Sequence, residues 1–193
     1  MLDLLLIFPP LSSKLSYGSY EQFKSIDIGN YPPLGLLYIG AYIKKYSNYE
    51  VKVLDAHCEK MNYNSLYYEI QNCQPKAVGI YTSSFTFYDS YEVAKIVKKV
   101  DKKIKVILGG PHIEIYPEES LSLKEVDIVV IGEGEIPVLE ILDVFHNKKN
   151  FSDIQSIGCK VNGESFFTRP PSVDLDLDKK PFPDRTLTNY KKY

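Results

Sequence analysis

Cysteine, net charge and long apolar runs are scarce in this sequence, and each shortage excludes a class of protein. The 193 residues contain three cysteines, Cys58, Cys73 and Cys159, which are odd in number and far apart. A disulfide framework is therefore not expected, and a reducing compartment such as the cytoplasm fits this usage. The chain has neither a CxxC pair nor a Cys/His cluster with zinc spacing, so we expect no metal site of that kind.

The low net charge and the lack of apolar runs exclude two kinds of partner. A formal net charge of -2 argues against nucleic acid, because no large basic field is available to displace counterions. No apolar run approaches the roughly 20 residues that a membrane-spanning helix needs. The start, Met1-Leu2-Asp3-Leu4, lacks the basic residues of a signal peptide. We therefore expect a cytoplasmic protein with neither a nucleic-acid nor a membrane partner.

What the sequence does contain is a regular alternation of strand-like and helix-like segments. Apolar residues recur with helical spacing between five short apolar runs, at 4–8, 51–54, 77–81, 106–108 and 128–131. Such continuous runs are typical of strands buried on both faces of a parallel sheet. We therefore predict an α/β fold with a doubly wound, five-stranded parallel sheet, flavodoxin- or Rossmann-like, in the order 2-1-3-4-5.

The pattern changes in the last quarter of the chain. Two strand-like segments flank Asn162-Gly163, a dipeptide that favours a tight β-hairpin turn. A Pro- and Asp-rich stretch without periodicity follows over residues 169–184, and we predict that it is an extended linker. The predicted division is an α/β domain over residues 1–147 and a hairpin with linker over residues 148–193.

Ligands of such sheets bind beyond the carboxyl ends of the strands, so the residues that follow each strand are the candidates for function. The first strand ends in Pro9-Pro10, which lacks backbone donors and makes a poor phosphate cradle but a rigid wall for a flat ligand. The third strand is followed by a hydroxyl cluster, Thr82, Ser83, Ser84 and Thr86. These hydroxyls either bind a phosphate, ribose or base edge of a ligand, or only cap the next helix.

Two glycine-rich turns follow the fourth and fifth strands. Gly109-Gly110-Pro111-His112 allows close backbone approach to a ligand, and the alternative is a plain turn with His112 in solvent. Gly132-Glu133-Gly134-Glu135 begins like GxGxxG, but Pro137 stands at the third glycine. Its carboxylates disfavour phosphate, so a neutral ligand edge with hydroxyl or amide groups suits this turn better.

Taken together and in order, these segments resemble the N-terminal cobalamin-binding domain of cobalamin-dependent radical SAM enzymes. The matching segments are Phe8-Pro9-Pro10, 31–40, Val53-Leu54-Asp55, 108–112, 127–135 and 180–185. The resemblance implies that cobalamin lies across the carboxyl edge of the sheet, with its nucleotide tail near the hydroxyl cluster and its corrin at the glycine turns. The cofactor-binding residues it implies are Pro10, Asp55, Thr82, Ser83, Ser84, Gly109, Gly110, Pro111, His112, Gly132, Glu133, Gly134 and Glu135.

The same resemblance implies that this chain binds the cofactor and that a separate domain catalyses the reaction. In that family the final motif leads into a radical SAM barrel, which uses S-adenosylmethionine and a [4Fe-4S] cluster. The CxxxCxxC that would hold the cluster is absent from these 193 residues. We therefore expect no catalytic residue in this chain, and methyl transfer or cyclisation only in a longer protein that supplies the barrel in cis.

Three alternatives remain open from the residues alone. Asp55-Ala56-His57 resembles the DxHxxG motif in which histidine ligates cobalt. It departs from that motif because it follows the second strand and has Lys60 in place of the glycine. The competing explanation is that Asp55 caps backbone amides and that His57 is a surface residue. The second alternative is that the domain binds no cofactor and is a docking domain that packs on a barrel. A flavin or nucleotide binder is the third alternative, against which the proline pair argues.

Overall fold

A single sheet runs through the structure, a computed structural model that describes residues 2–12, 31–161, 163–170 and 177–193. Within these residues the sheet has seven strands in the order β2-β1-β3-β4-β5-β6-β7. The strands are β1 Leu4–Phe8, β2 Val51–Asp55, β3 Ala77–Tyr81, β4 Lys105–Gly109, β5 Ile128–Val130, β6 Ile157–Val161 and β7 Glu164–Phe167. Strands β1 to β5 pair in parallel, which confirms the predicted order of the first five strands.

The predicted hairpin forms, but it is not a separate unit beside a purely parallel sheet. Strand β6 pairs antiparallel with β5, and β7 pairs antiparallel with β6, so the sheet is mixed. Without β6, the edge of β5 would present unpaired backbone groups. Ile157 and Cys159 of β6 are fully buried and extend the core to this edge. The domain boundary near residue 147 stays a prediction, and Asn162 of the hairpin turn lies outside the described residues.

Helices cover both faces of the sheet. They are α1 Leu34–Tyr46, α2 Tyr63–Cys73, α3 Phe87–Val100, α4 Pro111–Ile115, α5 Pro117–Ser122 and α6 Glu135–Phe145. Only α4 was not predicted; it begins directly after the turn that follows β4, with Pro111 at its first position, where a missing N–H costs nothing. In the described part of the chain, no helix is long and apolar enough to cross a membrane.

The alternation of side chains along each strand divides the core into two layers. One layer, which includes Leu5, Val78 and Leu108, packs against α2, α3, α4 and α5. The other layer, which includes Leu6 and Ile107, packs against α1 and α6. Since both faces are covered, the central strands consist almost entirely of apolar residues and glycine, and this is why the strands could be recognised as continuous apolar runs.

Residues 177–193, which the sequence predicts to continue an extended linker, instead fold back onto α1. They form three short 3-10 helices, at Leu177–Lys179, Arg185–Leu187 and Tyr190–Lys192. Asp184 accepts a hydrogen bond from Lys44, and the Leu187 side chain packs against Gly40. A Cβ at position 40 would lie 2.5 Å from Leu187 Cδ1, so this contact depends on the glycine. Residues 171–176 of the predicted linker lie outside the described residues.

A buried carboxylate ties the amino-terminal edge of the sheet together. Asp3 accepts hydrogen bonds from Lys76 Nζ at 2.8 Å and from the Glu50 amide at 2.9 Å, and His146 Nε2 lies 3.0 Å from Oδ1. Burial alone would raise the pKa of Asp3, but these hydrogen bonds outweigh it and lower the pKa below the usual 3.8. The ionised carboxylate therefore stabilises the fold.

We expect Asp3→Asn to lower the free energy of unfolding at pH 7 by about 1–3 kcal/mol, because it removes a charged acceptor from buried donors. The pKa of Asp3 is depressed in the folded state, so its contribution is complete above about pH 5 and is lost as the pH falls below about 4. The difference in the free energy of unfolding between wild type and Asp3→Asn, measured by urea denaturation, should therefore be smaller at low pH than at pH 7. The exposed Asp178→Asn is the control; an equal difference at both pH values would contradict the expectation.

Candidate functional site

A cavity of about 180 Å³ opens at the carboxyl edge of the sheet, between the strands and the helices α1 and α6. Its floor is made by side chains and backbone of the central strands, among them Leu6, Gly79, Ile107 and Val130. Its roof is made by Gly35, Tyr38, Ile39 and Val138 from the two helices. The two predicted glycine turns form its rim through Gly109, Gly110, Gly132, Glu133, Gly134 and Glu135.

Gly79 keeps the floor of this cavity open. It lies in the middle of β3, where a Cβ would stand 2.7 Å from Leu6 Cδ2. A side chain here would push Leu6 aside and fill the space above the sheet. Gly79 was not among the predicted site residues. A glycine inside an otherwise apolar strand marks a close approach of another group, and that signal was available in the sequence.

The turn after β4 is joined to the end of β3 by its backbone. Thr82 N donates to Gly109 O at 2.7 Å, and His112 N donates to Thr82 O at 3.1 Å. Gly110 between them has a φ of 116°, and a Cβ there would lie 2.7 Å from Thr82 O. This position therefore needs glycine both for its backbone conformation and for its space.

The turn after β5 uses its two glycines differently. Gly132 has a φ of 77°, in the left-handed region that favours glycine. Gly134 has an ordinary φ of -94°, but a Cβ there would lie 2.8 Å from Ile39 Cδ1 of α1. The first glycine thus forms the turn and the second lets the turn approach α1. Together they close one side of the cavity.

Each hydroxyl of the cluster after β3 has a hydrogen-bond partner within the protein. Thr86 N donates to Ser83 Oγ at 3.1 Å, and Ser83 N donates to Thr86 Oγ1 at 2.9 Å, so the two residues pair reciprocally in the turn before α3. Thr82 is fully buried, and Ser84 Oγ lies 3.0 Å from His112 Nδ1. None of them is among the described residues that line the cavity. Their part in binding the nucleotide tail stays a prediction.

His112 does not point into solvent, as the plain-turn alternative required. Its ring packs in a tilted arrangement against Phe87 and Tyr116, with centroids at 4.3 and 5.1 Å, and the residue is buried. Burial lowers the pKa of the imidazole, so the ring is neutral at pH 7. His112 packs behind the β4 turn and supports it from the face opposite the cavity.

The remaining predicted residues lie outside the cavity. Pro10 is buried next to the end of β1, and Pro111 starts α4. Asp55 caps the turn after β2, since its Oδ1 accepts from Cys58 N at 2.9 Å. His57 is half-buried in that turn, beyond the edge strand β2. Lys60 has a φ of 53°, so the backbone adopts here the conformation that the glycine of DxHxxG favours.

The two carboxylates of the β5 turn differ in their surroundings. Glu133 is exposed at the rim. Glu135, the first residue of α6, is buried, and its Oε1 lies 3.4 Å from Lys180 Nζ. Its Oε2 is buried without a hydrogen-bond partner among the described residues. An apolar cavity with one buried acceptor suits a largely apolar ligand that carries a hydrogen-bond donor.

We expect Gly110→Ala to lower the free energy of unfolding by about 1–3 kcal/mol, because it forces a strained φ and a clash with Thr82 O. Gly163→Ala is the matched control: Gly163 has a φ of 87°, but no atom lies within 4 Å of the position of its Cβ. Gly163→Ala should lower the free energy of unfolding by less than Gly110→Ala does, since it adds backbone strain but no clash. Equal losses of the two variants in urea denaturation would show that the contact with Thr82 has no effect.

The chain is similar in sequence to longer proteins. It is 30% identical over 196 residues to an uncharacterized methyltransferase from Pyrococcus horikoshii, covering all of this chain and 40% of that protein. It is 26% identical over 172 residues to the anaerobic magnesium-protoporphyrin IX monomethyl ester cyclase of Rubrivivax gelatinosus, covering 86% of this chain and 30% of that protein. The chain thus spans less than half the length of these relatives.

Two solved structures share the fold. One is the cobalamin-dependent S-adenosylmethionine radical enzyme OxsB with aqua-cobalamin and S-adenosylmethionine bound, with a TM-score of 0.74, 13% identity, and coverage of 94% of this chain and 24% of that chain. The other is the radical S-adenosylmethionine methyltransferase TsrM from Kitasatospora setae with cobalamin and a [4Fe-4S] cluster bound, with a TM-score of 0.68, 16% identity, and coverage of 94% and 31%.

A family match agrees with these similarities and confirms the resemblance stated from the sequence. Residues 28–142, which run from just before α1 into α6, match the B12 binding domain. This range contains both glycine turns, all of α1 and the first part of α6. The chain belongs to the B12 binding domain family.

Proposed function

We propose that this chain binds cobalamin at the carboxyl edge of its sheet and serves as the cobalamin-binding module of a radical SAM enzyme. The observation that carries the proposal is the cavity framed by the two glycine turns, in a chain of the B12 binding domain family. Both turns follow neighbouring parallel strands, where ligands of such sheets bind.

The residues of the cavity fit a part of cobalamin. The cavity of about 180 Å³ is mostly apolar, and a dry apolar cavity of roughly 150 Å³ is known to hold benzene. An aromatic ring of the nucleotide tail can therefore enter between the sheet and α1. Gly110, Gly132 and Gly134 give the rim a bare backbone, against which a flat, bulky ring system can lie closely.

Bound cobalamin would supply a cobalt centre for methyl transfer or for assistance to a radical cyclisation. The part of this chain is to hold and orient it. The Thr82–Gly109 bridge fixes the separation of the β3 and β4 ends, and the contact of Gly134 with Ile39 fixes α1 over the cavity. His57, beyond the edge strand, is not proposed as a cobalt ligand.

The reaction itself is proposed to need a barrel domain in the same protein. The relatives are two to three times as long as this chain, and one of them is named as a methyltransferase. The solved structures with this fold are those of radical enzymes in which S-adenosylmethionine or a [4Fe-4S] cluster accompanies cobalamin. These similarities support a methyltransferase or cyclase that uses those cofactors in its remaining part.

The proposal is tested by mixing the purified chain with hydroxocobalamin, removing free ligand on a desalting column and recording the corrin absorbance. Wild type should retain the corrin. Val138→Phe should weaken the affinity about tenfold or more, because the enlarged side chain occupies the cavity. Leu139→Phe is the control, since Leu139 is a neighbour on α6 that lies outside the cavity.

Folded wild type that retains no corrin would overturn the proposal. That result, together with formation of a stable complex with the barrel part of the same protein, would favour the cofactor-free docking domain. Equal binding by wild type and Val138→Phe would instead show that cobalamin binds elsewhere on the chain.

A further inference from the structure

The carboxylate of Glu135 is an anomaly within the cavity. The residue is 6% exposed, lines the cavity, and has one oxygen, Oε2, that is buried without a hydrogen-bond partner among the described residues. An unpaired buried acceptor is costly, and a charged one more so. Such a group in a folded protein points to a partner that binds there, such as a ligand, an ion or an ordered water.

The other oxygen of Glu135 is held by a residue from a distant part of the sequence. Lys180 Nζ lies 3.4 Å from Oε1, and its side chain is also well buried. Lys180 belongs to the segment 177–193, which is anchored on α1 by Asp184 and Leu187. The positive charge of Lys180 and the amino-terminal end of α6 both stabilise a negative charge at this position.

We propose that Oε2 of Glu135 accepts a hydrogen bond from an N–H or O–H group of the bound ligand, while Oε1 remains paired with Lys180. This inference rests on the proposed binding of cobalamin and names the residue that selects for a donor. Donors of this chemistry on cobalamin include the amide groups of the corrin and the hydroxyls of the nucleotide ribose. A phosphate or carboxylate at this point would be repelled.

The arrangement also couples the ligand to the segment 177–193. A single carboxylate is shared, with the ligand on one oxygen and Lys180 on the other. A ligand that orders Glu135 also strengthens its contact with Lys180, and by linkage a docked segment favours the ligand. Binding should therefore slow amide hydrogen exchange in the segment around Lys180.

The test compares the hydroxocobalamin affinity of wild type with those of Glu135→Met and the double variant Glu135→Met/Lys180→Met. Methionine keeps the approximate shape and removes the acceptor. Loss of a hydrogen bond to a charged group should weaken binding about tenfold or more in both variants. The double variant leaves no buried charge unpaired, so it should fold even if the single variant does not.

Glu140→Gln is the matched control. Glu140 lies on the same helix, pairs with Lys149 and stands outside the cavity, so this variant should bind like wild type. The ligand should slow amide hydrogen exchange in the segment around Lys180 in wild type and in Glu140→Gln, but not in Glu135→Met. A structural role of Glu135 alone would not produce this difference.

The tail-free corrinoid dicyanocobinamide locates the donor. If the donor is a ribose hydroxyl, Glu135→Met should bind this ligand as tightly as wild type does. If the donor is a corrin amide, Glu135→Met should bind it more weakly than wild type does. Wild-type affinity for hydroxocobalamin in both methionine variants would overturn this inference and leave the proposed function intact. No binding by wild type would overturn both.

Discussion

The site depends on one backbone bridge, in which Thr82 donates to Gly109 and accepts from His112. Parallel strands are joined only by their ladder, and beyond its last hydrogen bond their chains are free to diverge. The bridge extends the pairing of β3 and β4 past the end of the sheet. It leaves Gly110 no space for a side chain and sets the rim of the cavity. His112, neutral and packed between the rings of Phe87 and Tyr116, supports the bridge from behind.

The cavity itself results from missing side chains. Gly79 in the floor and Gly134 at the rim each lie where a Cβ would collide with a neighbour, Leu6 or Ile39. Close packing normally fills such space in a protein interior. Here the space between the sheet and α1 stays open at one end, and its lining is mostly apolar, with the carboxylate of Glu135 buried and that of Glu133 exposed at the rim. A pocket that combines a bare backbone wall with a few polar contacts can hold and orient a flat ring system.

The strands and the turns could be predicted from the sequence, because each depends on residues that are close together in the chain. Continuous apolar runs identified all five parallel strands, and Asn162-Gly163 identified the hairpin. The two glycine turns were predicted to be neighbouring parts of one site, and in the structure both line the same cavity. By contrast, the hydroxyls after β3 were equally compatible with ligand binding and with capping. Both alternatives use the same residue types. Ser83 and Thr86 bond to each other in the structure, and the part of the cluster in ligand binding stays a prediction.

The sequence by itself determined the order of elements, the positions of the turns and the family resemblance, since periodicity and turn chemistry are properties of neighbouring residues. Only the tertiary structure decided that the hairpin joins the sheet, that residues 177–193 pack on α1, and that Lys180 meets Glu135. These contacts join residues far apart in the chain, and their stability comes from buried area and charge pairing that no local pattern encodes. The turns of Gly109 and Gly132 are thus local features, and the cavity between them is a tertiary one.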